Sequence, residues 1–364
     1  MKKNIRNILL LSLVVSSSVC FSQDWSGTSR IRVESNQTEN EESSQLNSTN
    51  RSRLGIGWSG DKWSMNMIGN HYYRFQDGEK DLNSSGTASV YEASISTDLP
   101  FGITLSAGRM ALNYGDGRII GNDNWGNNGR THDGFVIRYE YEDFIKIDIG
   151  TDADGRENTV NKDWAYAYLS RKGDNFNLDG AYLIANAKNT MGIALDFNTV
   201  DNKLDLGFDY WHQTWYETAF EKNMDESASL MAISINYPLN KKISVGGGMD
   251  MFSETNGGTW NASWGDYHQF NGAMDLVAKN MNGAWNDTYF NLGYSLNSWN
   301  LGLAYHMMSA DDPNLSKFEG NEIDLSLANT LNDHINYGFG YSMFTPNDNS
   351  DGSNWMYLQI SATP

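Results

Sequence analysis

Leu204-Asp205-Leu206-Gly207-Phe208-Asp209-Tyr210 alternates apolar residues with polar residues or glycine at strict period two, and Ile335-Asn336-Tyr337-Gly338-Phe339-Gly340-Tyr341-Ser342-Met343 does the same. A strand with that pattern presents one face suited to lipid and one suited to water. Nearly every stretch after residue 24 carries the alternation, and none holds enough consecutive apolar residues for a membrane helix. Behind a secretory signal, the pattern implies an all-β fold: a transmembrane antiparallel β-barrel in the outer membrane of a Gram-negative cell. Spanning strands must close on themselves there to satisfy their backbone groups.

The signal is expected in residues 1–22, where Lys2, Lys3 and Arg6 precede an apolar run from Ile8 to Val15 and small residues lead to Ser22. The run is too short to anchor, and Ser17-Ser18-Val19 before Cys20 is a poor lipidation box. Residues 23–364 then form a single barrel domain without cysteine, which excludes disulfides and cysteine metal sites. Removing the three basic signal residues leaves 23 basic against 45 acidic residues, a formal charge of −22. Such a surface argues against nucleic acid as a partner and for solvated loops. A hydrophobic fraction of 39% beside 35 glycines is low for a packed soluble core and natural for a barrel whose interior is wet. A soluble sandwich or propeller is the competing fold.

Connections set the strand count. Long polar segments at 36 to 50, 76 to 87, 110 to 132, 152 to 162, 217 to 226, 254 to 284, 309 to 319 and 345 to 353 alternate with short turns, as outer loops alternate with periplasmic turns. Counting inward from both ends, the parities agree only if residues 266 to 280 belong to an outer loop, with a short helix around Ala273 to Lys279. About 18 strands result, with 16 as the alternative. Trp25, Trp58, Trp63, Trp164, Trp299 and Trp355 fall at strand ends, where a membrane girdle is expected. Trp211, Trp215, Trp260 and Trp264 lie near the outer loops and the lumen rim, as candidates for sugar stacking.

All eleven arginines after the signal fall between Arg30 and Arg171, and the 193 residues beyond contain none. Strand parity sets Arg30 and Arg32 opposite Ile31 and Val33, Arg51 and Arg53 opposite Leu54 and Ile56, and Arg138 opposite Ile137 and Tyr139. These, with Lys146 and Asp148, are expected to line the lumen, because a guanidinium facing lipid near the midplane costs about 2–4 kcal/mol. A charge pair at 4 Å in water contributes only about 1 kcal/mol, so a ladder of such contacts admits an anion without trapping it. The long loop from 110 to 132, rich in Gly, Asn and Asp, is expected to fold inward.

Gly108-Arg109-Met110-Ala111-Leu112-Asn113-Tyr114-Gly115-Asp116-Gly117-Arg118-Ile119-Ile120-Gly121 continues through Trp125 to Arg130-Thr131-His132-Asp133. This block resembles the signature of the alginate export family of outer-membrane barrels. Gly293-Tyr294, Gly302-Leu303-Ala304-Tyr305-His306 and Gly320-Asn321-Glu322-Ile323-Asp324-Leu325 are similar to that family's closing strands. The resemblance implies a monomeric 18-stranded porin moving an anionic polysaccharide, with Arg109, Asp116, Arg118, Arg130 and Asp133 as the constriction. The acidic second half and the terminal Thr363-Pro364 depart from the family's pattern.

Asp152-Ala153-Asp154-Gly155 with Glu157 clusters oxygens but lacks the spacing of a calcium loop. No Gly-x-Ser-x-Gly, zincin or phosphate-loop pattern occurs, so neither an enzyme, a metal nor a cofactor is expected. His132-Asp133 and Asp209 near His212 are the only candidate base pairs. The sequence leaves three functions open: a channel for anionic poly- or oligosaccharide, a general diffusion porin, or a barrel anchor. In the third, acidic outer loops, especially Thr38 to Asn47 and 254 to 284, dock an envelope protein. The expected surroundings are outer-membrane lipid and lipopolysaccharide.

Overall fold

The computed structural model describes residues 22–37, 45–75, 86–152, 164–185, 187–199, 203–216, 223–262, 264–276, 284–310, 318–348 and 350–364. The expected signal lies outside them, apart from Ser22. The strands are β1 (Ser22–Gln37), β2 (Gln45–Ser59), β3 (Trp63–Phe75), β4 (Gly86–Leu99), β5 (Ile103–Met110) and β6 (His132–Tyr141). Next come β7 (Ile145–Asp152), β8 (Ala165–Lys172), β9 (Phe176–Ala185), β10 (Lys188–Asn198), β11 (Asp205–Tyr216) and β12 (Asn223–Pro238). The last six are β13 (Ile243–Thr255), β14 (Trp285–Leu296), β15 (Trp299–Ala310), β16 (Gly320–Asn332), β17 (Ile335–Pro346) and β18 (Ser353–Ala362). Each pairs antiparallel with its chain neighbours, and β1 pairs with both β2 and β18, closing one 18-stranded barrel. Closure removes the sheet edges, so every strand's ladder is satisfied without solvent.

The faces are inverted relative to a soluble protein. Leu54 is 64% exposed and Leu358 55%, whereas Gln213 and Asp287 are 0% exposed. Apolar rows point outward to lipid and polar rows inward, which makes this an outer-membrane barrel. Leu303, at the centre of β15, belongs to the outward row. Leu303→Arg is expected to cost about 2–4 kcal/mol of barrel stability, measured by urea unfolding in lipid vesicles. A cost near zero would remove Leu303 from the lipid face.

Outer connections, L1 to L9 in chain order, alternate with short periplasmic turns, as the connection parity requires. Residues 38–44 of L1, much of L2, L4, L6 and L8, and residues 277–283 of L7 lie outside the described residues. Most of the docking segment Thr38 to Asn47 and the oxygen cluster after Asp152 fall there, whereas most of the docking loop 254 to 284 is described. Of the helix expected around Ala273 to Lys279, residues 277–279 lie outside the described residues and 273–276 are not helical; the helical turn described in this loop is Tyr267–Gln269. Carboxylates of the β16 wall take the backbone N–H groups of Ala273 and Met274, from Asp324 at 3.2 Å and Glu322 at 2.9 Å.

The interior is not uniformly wet. L3 (residues 111–131) and the described residues of L7 (256–284) turn inward and carry Leu112, Tyr114, Ile119, Ile120, Trp260 and Trp264 onto lumenal Leu183, Trp211, Leu230, Phe252 and Trp285. A dry core therefore fills part of the lumen, which the low apolar fraction concealed. It also takes Trp164, one of the expected girdle tryptophans, while Trp355 packs against Trp125 and Tyr357. Trp164 and Trp355 are 7% and 9% exposed and point inward, whereas Trp25 and Trp299 are exposed on the lipid face.

Candidate functional site

β1 and β2 present Arg30, Arg32, Arg51 and Arg53 to the lumen, and all four guanidinium groups meet the 124–128 segment of L3. Arg30 donates to the carbonyls of Asn124 (3.2 Å), Trp125 (2.8 Å) and Gly126 (3.2 Å) and to Asn127 Oδ1 (3.0 Å). Arg51 donates to the carbonyls of Asn124 and Gly126 at 2.8 and 2.9 Å. Arg53 donates to Asn124 Oδ1 and the Asn128 carbonyl and lies 3.5 Å over the Tyr91 ring. A bulge between Ile68 and Gly69 leaves Tyr91 without a partner across β3, so it reaches the lumen while Val90 stays outward. Arg32 pairs with Glu34 at 3.1 Å and lies 4.1 Å over the Trp125 ring, which His268 of L7 stacks at 4.0 Å.

The other half of L3 faces the opposite wall. Arg118 bonds Asp250 of β13 at 2.7 Å, reaches Asp209 of β11 at 3.3 Å and Asp116 at 3.7 Å, and covers Phe270 at 4.0 Å. Burial alone would lower the Arg118 pKa. The carboxylates, Asp250 foremost, outweigh that and hold it above its ordinary value. Arg130 donates to the carbonyls of Gly121 (3.2 Å) and Gly265 (2.8 Å), tying L3 to L7. The backbones also bond directly, Gly121 N to the Trp264 carbonyl at 2.7 Å and Asp266 N to the Gly117 carbonyl at 2.9 Å. Gly265 permits this approach, because a Cβ there would strike the Arg118 carbonyl.

A third anchor is polar. Tyr114 of L3 donates to Asp148 at 2.6 Å, and Arg138 grips the same carboxylate at 2.7 Å. Lys146 stands 3.9 Å from Glu140 and 4.0 Å from Asp148. Arg138 and Lys146 remain partly open to the lumen, with side chains 39% and 33% exposed. Across from them, a cavity of about 380 Å³ is bounded by Asp116, Asp196, Asp209 and Asp250, with Arg118 as its guanidinium. The two walls of the lumen thus carry opposite charge.

Asp116, Arg118 and Arg130 come together in this assembly; Arg109 and Asp133 do not. They pair with each other at 2.6 Å, but Asp133 shares the outward face of Phe135 and Ile137 while His132 and Gly134 face in. The pair therefore sits outside the barrel, because β5 and β6 extend through residues that the motif assigns to a constriction loop. Trp211, Trp260 and Trp264, 5%, 4% and 7% exposed, are core packing and not a sugar platform. Trp215 packs on the same core, with Lys188 5.1 Å over its ring. His212 bonds Ser229 at 2.8 Å on the outward face of β11, opposite lumenal Asp209, so neither candidate base pair forms. Among the described residues, no three His, Asp or Glu side chains are arranged to hold a metal ion.

Solved structures share this architecture. The chain superposes on OccAB1 of Acinetobacter baumannii with a TM-score of 0.72 at 11% identity, covering 94% of this chain and 96% of that one. OccK5 (OpdH) of Pseudomonas aeruginosa gives 0.71 at 10% identity, covering 94% and 98%. A BenF-like porin of Pseudomonas fluorescens gives 0.72 at 11% identity, covering 94% and 98%. The chain has the fold of an outer-membrane porin. At these identities the likeness is one of fold. No family model matches the chain, and no curated protein does. The likeness to alginate export barrels thus rests on the 108 to 133 block, where Arg109 and Asp133 leave the lumen.

Proposed function

We propose that this protein is a solute-selective outer-membrane channel for small, carboxylate-bearing sugars or sugar-like acids. The observation that carries the reading is the charge across the narrowed lumen. Arg30 and Arg51 spend their donors on neutral carbonyl oxygens, so their positive field stays uncancelled on one wall. Asp196, Asp209 and Asp250 border the other. A carboxylate is drawn to the first wall and hydroxyl groups find acceptors on the second, while the short-range field decides because distant loop charges are screened beyond about 8 Å at physiological salt. Two loops packed into the lumen argue for single rings or short oligomers over an alginate-like polymer, and against general diffusion.

Two similar barrels are described with small carboxylates, OccK2 (OpdF) of Pseudomonas aeruginosa in complex with the sugar acid glucuronate and OpdK of the same organism with the aromatic acid vanillate. Reconstituted in liposomes, the channel is expected to admit glucuronate faster than glucose, and bilayer recordings to show a weak anion preference. Equal rates for the two solutes together with a strong cation preference would mean that the acidic wall governs passage, and the reading would fall.

A further inference from the structure

Above the L3–L7 assembly, on its extracellular side, lies a second recess of about 300 Å³ between the outer ends of β1, β2 and β18 and the tip of L7. Trp125, Trp355 and His268 supply aromatic surface; Asn36, Asn47 and Glu34 supply hydrogen-bonding groups. We propose that this recess is an entry subsite for one neutral pyranose ring. It deepens the channel reading and takes its purpose from it, although binding here does not require passage.

The lining matches that ligand class in three respects. A pyranose has apolar ring faces and an equatorial rim of hydroxyls, and this recess sets aromatic walls beside amides and a carboxylate. Trp125 is held by the Arg32 guanidinium at 4.1 Å and the His268 ring at 4.0 Å, with Trp355 edge-on at 6.0 Å, so the aromatic wall is rigid before a ligand arrives. Both carboxylates at the recess are already paired, Glu34 with Arg32 at 3.1 Å and Asp275 with His268 at 3.2 Å. Arg32 matches the Glu34 charge and the His268 ring engages Asp275, so neither carboxylate is free to capture a cation, while two carboxylates beside the recess disfavour an anion; an uncharged ligand is selected. Asn47 Oδ1 is buried and has no hydrogen-bond partner among the described residues, an unsatisfied acceptor on a residue that lines the recess. The volume stands at the low end of small-ligand pockets, about 300–1,000 Å³, which limits the occupant to one ring.

The purified barrel in detergent is titrated with methyl glucoside by calorimetry and by tryptophan fluorescence, with glycerol as the control solute. Saturable heat and a fluorescence change are expected for the glucoside and neither for glycerol. The double variant Asn36→Ala, Asn47→Ala should weaken binding about tenfold, the loss of two neutral hydrogen bonds, with an unaltered reversal potential. Trp355→Phe should diminish the fluorescence change while the heat persists. Absence of saturable binding, or undiminished affinity in the double variant, overturns the subsite. If glucuronate fails to pass while glucoside still binds as described, the channel reading falls and the subsite stands.

Discussion

Arg118→Ala is expected to raise single-channel conductance several-fold and to shift selectivity toward cations. Arg118 joins L3 to two strands of the far wall, and its partner Asp250 is 2% exposed. Removing one member of a buried ion pair costs about 3–5 kcal/mol, because the remaining charge is left uncompensated. Here the cost falls on the closed arrangement of the loop, since the barrel's hydrogen-bond ladder does not depend on Arg118. Asp209 and Asp250 lose their guanidinium together, so L3 is released and the cavity gains net negative charge. Adding Arg130→Ala removes the ties to the Gly121 and Gly265 carbonyls and should enlarge the effect. Arg118→Lys separates charge from shape: it keeps the selectivity but lacks the planar fork that reaches Asp250 and Asp209 at once. Wild-type conductance and reversal potential in Arg118→Ala would remove L3 from the permeation path.

The barrel was legible because its determinants are local. Period two assigns each residue of a strand to lipid or lumen, so Arg30 to Arg53 could be turned inward from Ile31, Val33, Leu54 and Ile56 alone, and the alternation of long and short connections gave the strand number. Asp250, between Met249 and Met251, carries the same signal, but no motif surrounds it to mark it as a site residue. What could not be read is what crosses the barrel. Arg118 and Asp250 are 132 residues apart, and only closure of the sheet brings them to 2.7 Å. The interior tryptophans failed for a related reason. Trp164 and Trp355 look like girdle residues by position, yet L3 and L7 supply apolar partners inside the lumen that no strand pattern announces. Motif reading misled where a strand outran its loop: Arg109 and Asp133 sit at matching positions of β5 and β6, and parity, correctly applied, sends both outward.

Arg30→Ala with Arg51→Ala should reverse the expected anion preference while leaving the barrel folded. The two side chains make six hydrogen bonds to residues 124–127 of L3. Bonds with a charged partner contribute roughly 1.5–3 kcal/mol each; sharing of the Asn124 and Gly126 carbonyls makes their sum smaller than six independent contacts. Loss of the clamp frees the segment that carries Trp125. More consequentially, it removes two of the three guanidinium groups on that wall whose partners are neutral, leaving Arg53, and the acidic groups across the lumen then dominate the field. Stability moves in the other direction from function, because two buried cations near Arg32 and Arg53 repel one another as well as holding the loop. Heat-modified migration in gels is therefore expected to stay close to wild type while the reversal potential changes sign. Arg51→Lys should keep an anion preference with noisier current, since one ammonium cannot bond both the Asn124 and Gly126 carbonyls in the geometry of the guanidinium. Should the double alanine variant remain anion-preferring, the positive wall does not set selectivity, and the partly open Arg138 and Lys146 become the groups that do.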